Sequence, residues 1–223
     1  MEEVPNAGQK FSYADSAFPG VLSGLPVQRT SRRLPHWTCE SVIYWVTFRM
    51  ADSLAQNVLD LWREERGIWL RHNPEPWDER QWYEYNLRFG DRLDRWSDAG
   101  HGSCALAKPH VRELLQGCLL RFERDRLRLH AATIMPNHVH LLMEPMGGNA
   151  LSQLMKGIKG ASARKINLLT GASGQFWMDE SFDHIVRSEA QYEHFAAYIR
   201  DNPVKAGLQE SEYWHYTSGA ASP

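Results

Sequence analysis

From Val42 to Phe48 nearly every position is apolar: Val42, Tyr44, Val46 and Phe48 fall on one face of an extended chain, Ile43, Trp45 and Thr47 on the other. A strand apolar on both faces is covered on both sides, so this segment is expected at the centre of a sheet. Leu127 to Met135 and the run beginning at His138 supply two more strands, with only Pro136-Asn137 between them, and Phe182 to Arg187 supplies a fourth. Helical spacing governs the rest. Two helices are expected over about 54–71 and 77–97, broken by Asn73-Pro74-Glu75-Pro76 and closed by the Gly100 to Ser103 stretch. A third runs from Pro109 to about Arg124 with Val111, Leu114, Leu115, Cys118 and Leu119 as its apolar stripe. Others span about Leu151 to Leu169, and Glu189 to about Asp201, where Asn202-Pro203 ends the last one.

Setting aside a Trp-rich helical insertion at about 53–100, the order is strand, helix, strand, strand, helix, strand, helix. That order predicts an α+β fold, a ferredoxin-like βαββαβ antiparallel sheet with an added C-terminal helix. Residues 1–35 mix Gly, Pro, Ser and Ala without periodicity and read as an arm; 36–216 form the domain and 217–223 a tail.

Composition narrows the class more than it identifies it. A net charge of −2 over 223 residues argues against a generally basic nucleic-acid binder and confines polyanion contact to local patches. No basic and apolar leader opens the chain and no run is long enough to span a bilayer, while Cys39, Cys104 and Cys118 have no CxxC spacing. A soluble cytoplasmic protein with reduced thiols is expected.

His138 and His140 are one residue apart on a strand, so they stand on one face while Val139, Leu141 and Met143 point into a core. Such a pair serves either as polar residues on a wet face or as two imidazole ligands to a divalent metal. In the last helix Tyr192, Phe195, Ala196 and Ile199 follow the i, i+3, i+4, i+7 pattern and form the buried stripe. Tyr198 falls outside that stripe with Gln191, His194 and Asn202, and as an i, i+4 pair Tyr198 and Asn202 share a surface. Spacing alone leaves Tyr198 either a surface residue or a presented hydroxyl, and Asn202 also reads as a helix-ending residue.

Three segments together carry a resemblance. Pro136-Asn137-His138-Val139-His140-Leu141-Leu142 comes first, then Gln175-Phe176-Trp177 with Ser181-Phe182-Asp183-His184-Ile185-Val186-Arg187, and finally Tyr198-Ile199-Arg200-Asp201-Asn202-Pro203-Val204-Lys205-Ala206-Gly207-Leu208. In this order they resemble the single-tyrosine HUH transposases, most of all the REP-associated tyrosine transposases, over about residues 36–216. The resemblance implies that His138, His140 and Asn202 bind a divalent ion, Mg²⁺ or Mn²⁺, and that Tyr198 is a nucleophile. It further implies metal-dependent cleavage and strand transfer on single-stranded, hairpin-containing REP-like DNA through a covalent 5′-phosphotyrosine, by a monomer or a homodimer.

For DNA contact the basic candidates are Arg32 and Arg33 in the arm and Lys156, Lys159 and Arg164 on the second core helix, each of which a solvated face explains equally well. The base that takes the tyrosine proton is not named by the sequence; His194 and Glu144 are the candidates. The long Trp-rich insertion departs from minimal members of the family, and its Glu64, Glu65, Asp78, Glu79, Asp91 and Asp94 disfavour phosphate binding over most of its surface. Two other readings keep the same residues: a domesticated regulator that binds hairpin DNA without cutting it, and a relaxase or replication initiator. The latter places its nucleophile differently. A HIT-type hydrolase requires a third histidine where this chain has Leu142.

Overall fold

The computed structural model describes residues 28–31, 35–38, 42–74, 77 and 79–218. In chain order the strands are β1 (Gln28–Ser31), β2 (Pro35–Thr38), β3 (Tyr44–Met50), β4 (Leu127–Ile134), β5 (His138–Pro145), β6 (Trp177–Ile185) and β7 (Trp214–Thr217). The helices are α1 (Gln56–His72), α2 (Glu79–Tyr85), α3 (Asp91–Asp98), α4 (Pro109–Leu120), α5 (Leu151–Thr170) and α6 (Glu189–Lys205). None among the described residues is long and apolar enough to cross a membrane.

β1 and β2 pair as an antiparallel hairpin that starts inside the stretch expected to be an arm. The main sheet has the order β6-β3-β5-β4-β7 with every neighbour antiparallel. Without β7, the strands stand fourth, first, third, second, which is the ferredoxin-like arrangement expected from the element order. β3 is buried along its whole length. Its Tyr44, Val46 and Phe48 join Val139, Leu141 and Met143 of β5 under α4 and α5, which contribute Val111, Leu115, Leu154 and Ile158. On the opposite face Ile43, Trp45 and Leu142 meet Phe195 and Ile199 of α6. Alternation along β3 and β5 therefore separates two cores, and the histidines belong to the α6 side.

A third core holds the insertion together: Leu59, Trp62 and Trp69 of α1 pack on Tyr85, Phe89 and Leu93, and Phe182 and Met178 of β6 join it to the sheet. The helix expected over 77–97 is divided by a π-helical turn at Asn86–Gly90. A π turn inserts a residue into the helical repeat and so changes which residues of α3 face inward; Leu93, Asp94 and Ser97 are the buried ones.

Several boundaries differ from expectation, α4 for one ending at Leu120 rather than near Arg124. α6 runs through Pro203 to Lys205. A proline this close to the end forfeits a single backbone bond, and the stop comes at Gly207, whose φ of +71° suits glycine. Leu208 N–H donates to Pro203 O at 3.0 Å and Gly207 N–H to Val204 O at 3.0 Å, closing the helix with a Schellman motif. β6 begins at Trp177 rather than Phe182, because a register shift at Phe48/Met50 lets pairing with β3 continue. β7, a four-residue edge strand, has too short a pattern to be seen in advance.

Phe48 is fully buried with its ring 4.8 Å from that of Trp177. Phe48→Ala is expected to destabilise the domain by about 3–5 kcal/mol, read as a lower denaturation midpoint in urea at unchanged slope.

Candidate active site

β5 presents His138 and His140 toward α3 and α6, and both are fully buried rather than on a wet face. Three elements enclose them. Trp45 of β3 stacks over the His140 ring at 6.1 Å, Asn202 of α6 reaches it from one side, and Asp98 at the end of α3 approaches His138.

The hydrogen bonds fix the tautomer of His138. Asn137 uses its amide N–H groups on Ser97 O (3.0 Å) and His101 O (2.9 Å), which leaves Asn137 Oδ1 to accept from His138 Nδ1 at 2.8 Å. His138 Nδ1 therefore carries the ring proton, and its Nε2 offers a lone pair 3.0 Å from His140 Nε2. His140 Nδ1 lies 2.8 Å from Thr47 Oγ1, and the Asn202 amide reaches His140 Nε2 at 2.9 Å. Neither ring is charged near neutral pH: burial pushes the His140 imidazole down to about 4, and burial together with the adjacent His140 and Arg49 holds His138 well below its ordinary value.

Two neutral imidazoles whose Nε2 atoms converge in a dry chamber are a donor set for a cation. Turning the Asn202 amide by half a rotation brings its oxygen to the same point without changing its shape. Asp98 Oδ1, buried without a hydrogen bond and 3.5 Å from His138 Nε2, adds a carboxyl edge; burial and the neighbouring Asp94 raise that carboxyl to about 7. No group of three or more His, Cys, Asp or Glu side chains among the described residues forms a metal site by itself. The fitting set is the two imidazoles with the Asn202 amide.

Tyr198 lies beside this set, its ring 5.3 Å from that of His140 and 5.7 Å from Trp45, both edge to face. Its hydroxyl donates to Asp94 Oδ2 at 3.0 Å. Burial, then the Asp94 and Asp98 carboxylates, push the phenol well above its ordinary value. Arg49 pairs with the other oxygen of Asp94 and donates from Nε to Ser97 Oγ at 3.0 Å. Asn202 and Tyr198, one turn apart on α6, share a surface as the spacing anticipated, and that surface meets His140, as the resemblance implied.

The basic candidates are spread differently. Arg32 and Arg33 lie outside the described residues. Lys156 and Arg164 are exposed on α5, and α5 covers the sheet face opposite the histidines. The Lys159 ammonium is engaged by Met178 O (2.7 Å), Asp179 O (3.0 Å) and Ser181 Oγ (3.3 Å), where it secures the start of β6. Of the two candidate bases, His194 is exposed, and Glu144 interacts with Arg128 and His130 on β4. Arg49, Asp94 and Asp98 were not anticipated as site residues. Arg49 is the one charge in an otherwise apolar strand, a signal visible in sequence, whereas Asp94 and Asp98 are two among many acids of the insertion.

Part of the chain resembles known proteins. Residues 106–202 match the family described as "Transposase IS200 like"; the segment is under half of the chain, and it contains His138, His140, Tyr198 and Asn202 while leaving out Arg49, Asp94 and Asp98. The REP-associated tyrosine transposase of Escherichia coli (strain K12) is 26% identical over 109 residues, which is 48% of this chain and 63% of that protein. The chain therefore aligns with less than two thirds of the relative's length. The structure of a REP-associated tyrosine transposase bound to a REP hairpin superposes with a TM-score of 0.48 at 15% identity, covering 81% of this chain and 77% of that one. Across residues 106–202 the chain is similar to the IS200-like transposases, and it resembles the REP-associated tyrosine transposases among them.

Proposed function

We propose that this protein cleaves and rejoins single-stranded, hairpin-containing repeat DNA through a covalent tyrosine intermediate. The observation that carries the reading is the meeting of Tyr198 with His138, His140 and Asn202 in one buried chamber, inside the segment similar to IS200-like transposases. The two neutral imidazoles and the amide are the groups that would hold Mg²⁺ or Mn²⁺. Mixed nitrogen and oxygen ligation tolerates either, Mn²⁺ accepting imidazole better. A bound ion supplies Lewis acidity to a phosphate oxygen.

This chain's own residues do the rest. Tyr198 Oη bonds to the phosphorus of a backbone phosphate as the bond to the 3′ oxygen breaks, leaving a 5′-phosphotyrosine and a free 3′ end. One phosphodiester replaces another of similar energy, so a 3′-hydroxyl can reverse the step without a nucleotide cofactor. Trp45 holds the Tyr198 ring from one side and the His140 imidazole holds it from another, which fixes the phenol before substrate arrives. The α5 residues Lys156 and Arg164, with Arg32 and Arg33, remain proposed contacts for the duplex part of a hairpin. Lys159 is left out, since its ammonium already serves three oxygens.

Tyr198→Phe is expected to abolish the protein–DNA adduct made with a labelled hairpin oligonucleotide while hairpin affinity stays within about twofold. An adduct of undiminished yield would remove Tyr198 from the reaction. Loss of the adduct in the wild type, with hairpin binding retained, would identify a non-cutting binder instead. His138→Ala and His140→Ala should each weaken Mn²⁺ binding, followed calorimetrically, by at least tenfold and lower cleavage by about a hundredfold or more; full wild-type cleavage in excess EDTA would refute metal dependence.

A further inference from the structure

α3 belongs to the insertion, outside the segment that resembles IS200-like transposases, yet it supplies the hydrogen-bond partner of the proposed nucleophile. Asp94 is nearly inaccessible to solvent at 2% exposure, and both of its oxygens are committed: Oδ1 to Arg49 of β3, Oδ2 to the Tyr198 hydroxyl at 3.0 Å. Arg49 is held in turn by Ser97 Oγ, which donates onward to Leu93 O at 2.9 Å. A carboxylate locked by a guanidinium on one oxygen, with the other aimed at a phenolic proton, has the geometry of a positioned proton acceptor. Of the two candidates suggested by sequence, His194 is exposed and Glu144 is engaged by Arg128 and His130, whereas the hydroxyl itself donates to Asp94.

We infer that Asp94, contributed by the helical insertion and oriented by Arg49, is the catalytic residue that takes the Tyr198 proton during attack on the phosphate. The inference rests on Tyr198 being the nucleophile. In the forward step the Tyr198 O–H bond breaks and its proton passes to Asp94 Oδ2, while Tyr198 Oη bonds to phosphorus. The bond from phosphorus to the 3′ oxygen breaks, and that oxygen takes a proton from water. In the rejoining step a 3′-hydroxyl attacks the phosphotyrosine and loses its proton to water, and Asp94 returns its proton to the departing phenolic oxygen. Charge and atoms balance in both directions, and no co-reactant beyond water is needed. The insertion is on this account part of the catalytic apparatus, since it is α3 that brings both Asp94 and Asp98 to the chamber.

The test is single-turnover adduct formation with the full chain, Mn²⁺ and a labelled hairpin oligonucleotide. Asp94→Asn keeps the size and can still accept a hydrogen bond, but it cannot carry the proton away; a loss of about a hundredfold or more is expected, with hairpin affinity unchanged. Asp94→Glu, which restores the carboxylate, should recover a large part of the rate. Placing 3,5-difluorotyrosine, a more acidic phenol, at position 198 of the Asp94→Asn protein should also raise its rate severalfold. A purely packing role for Asp94 predicts no such gain, and its absence would overturn the inference, as would a rate within twofold of wild type in Asp94→Asn. If removing one partner of the buried pair unfolds the chain, Arg49→Gln combined with Asp94→Asn leaves no unpaired charge and is measured instead. Adduct formation surviving in Tyr198→Phe would refute the nucleophile assignment itself, whereas its loss there together with full activity in Asp94→Asn would refute the role of Asp94 alone.

Discussion

The pairing of Arg49 with Asp94 is the constraint on which the chamber depends. Arg49 sits near the end of the central strand, and Asp94 on a helix 45 residues further along the chain; both are removed from water. Either charge alone in that position carries a desolvation cost of several kcal/mol, so each element tolerates its charge only while the other is docked. The pair therefore joins the Trp-rich insertion to the sheet with an orientation as well as an affinity. Apolar contact through Phe182 and Met178 could be satisfied at several rotations, but the ion pair with its Ser97 bond is satisfied at one.

That docking sets the electrostatics of everything beneath it. With α3, α6 and Trp45 closed over β5, the imidazoles lose water and stay neutral, the form in which nitrogen lone pairs bind cations. The same dryness raises the Asp98 carboxyl and the Tyr198 phenol. The imidazoles and the phenol are thus held in their uncharged forms. A solvated version of the same residues has weaker mutual influence at every pair.

Much of this was legible in the sequence because it rests on short-range periodicity. The alternation at His138-Val139-His140-Leu141 assigned the faces of β5, and the i, i+4 relation of Tyr198 and Asn202 placed both on one side of α6. The four core strands and their order followed from element succession. What the sequence concealed depends on tertiary contact. A π turn at Asn86–Gly90 chooses which acids of α3 face inward, and a buried acid is indistinguishable from a solvated one in a segment with so many. Likewise Lys159 has the same spacing as its neighbours on α5, and only the approach of β6 reveals that its ammonium is committed to backbone oxygens. β7 and the run of α6 through Pro203 were missed because an edge strand of four residues and a single forfeited bond leave almost no pattern.

α6 lies on the sheet of its own chain, with Phe195 and Ile199 packed on Trp45 and Leu142, and its tyrosine ring against a histidine of the same polypeptide. One helix thus carries both the packing residues and Tyr198 with Asn202. Loosening Phe195 or Ile199 from the sheet would therefore displace the phenol and the amide together, so the strength of that apolar contact sets how tightly the chamber's geometry is held.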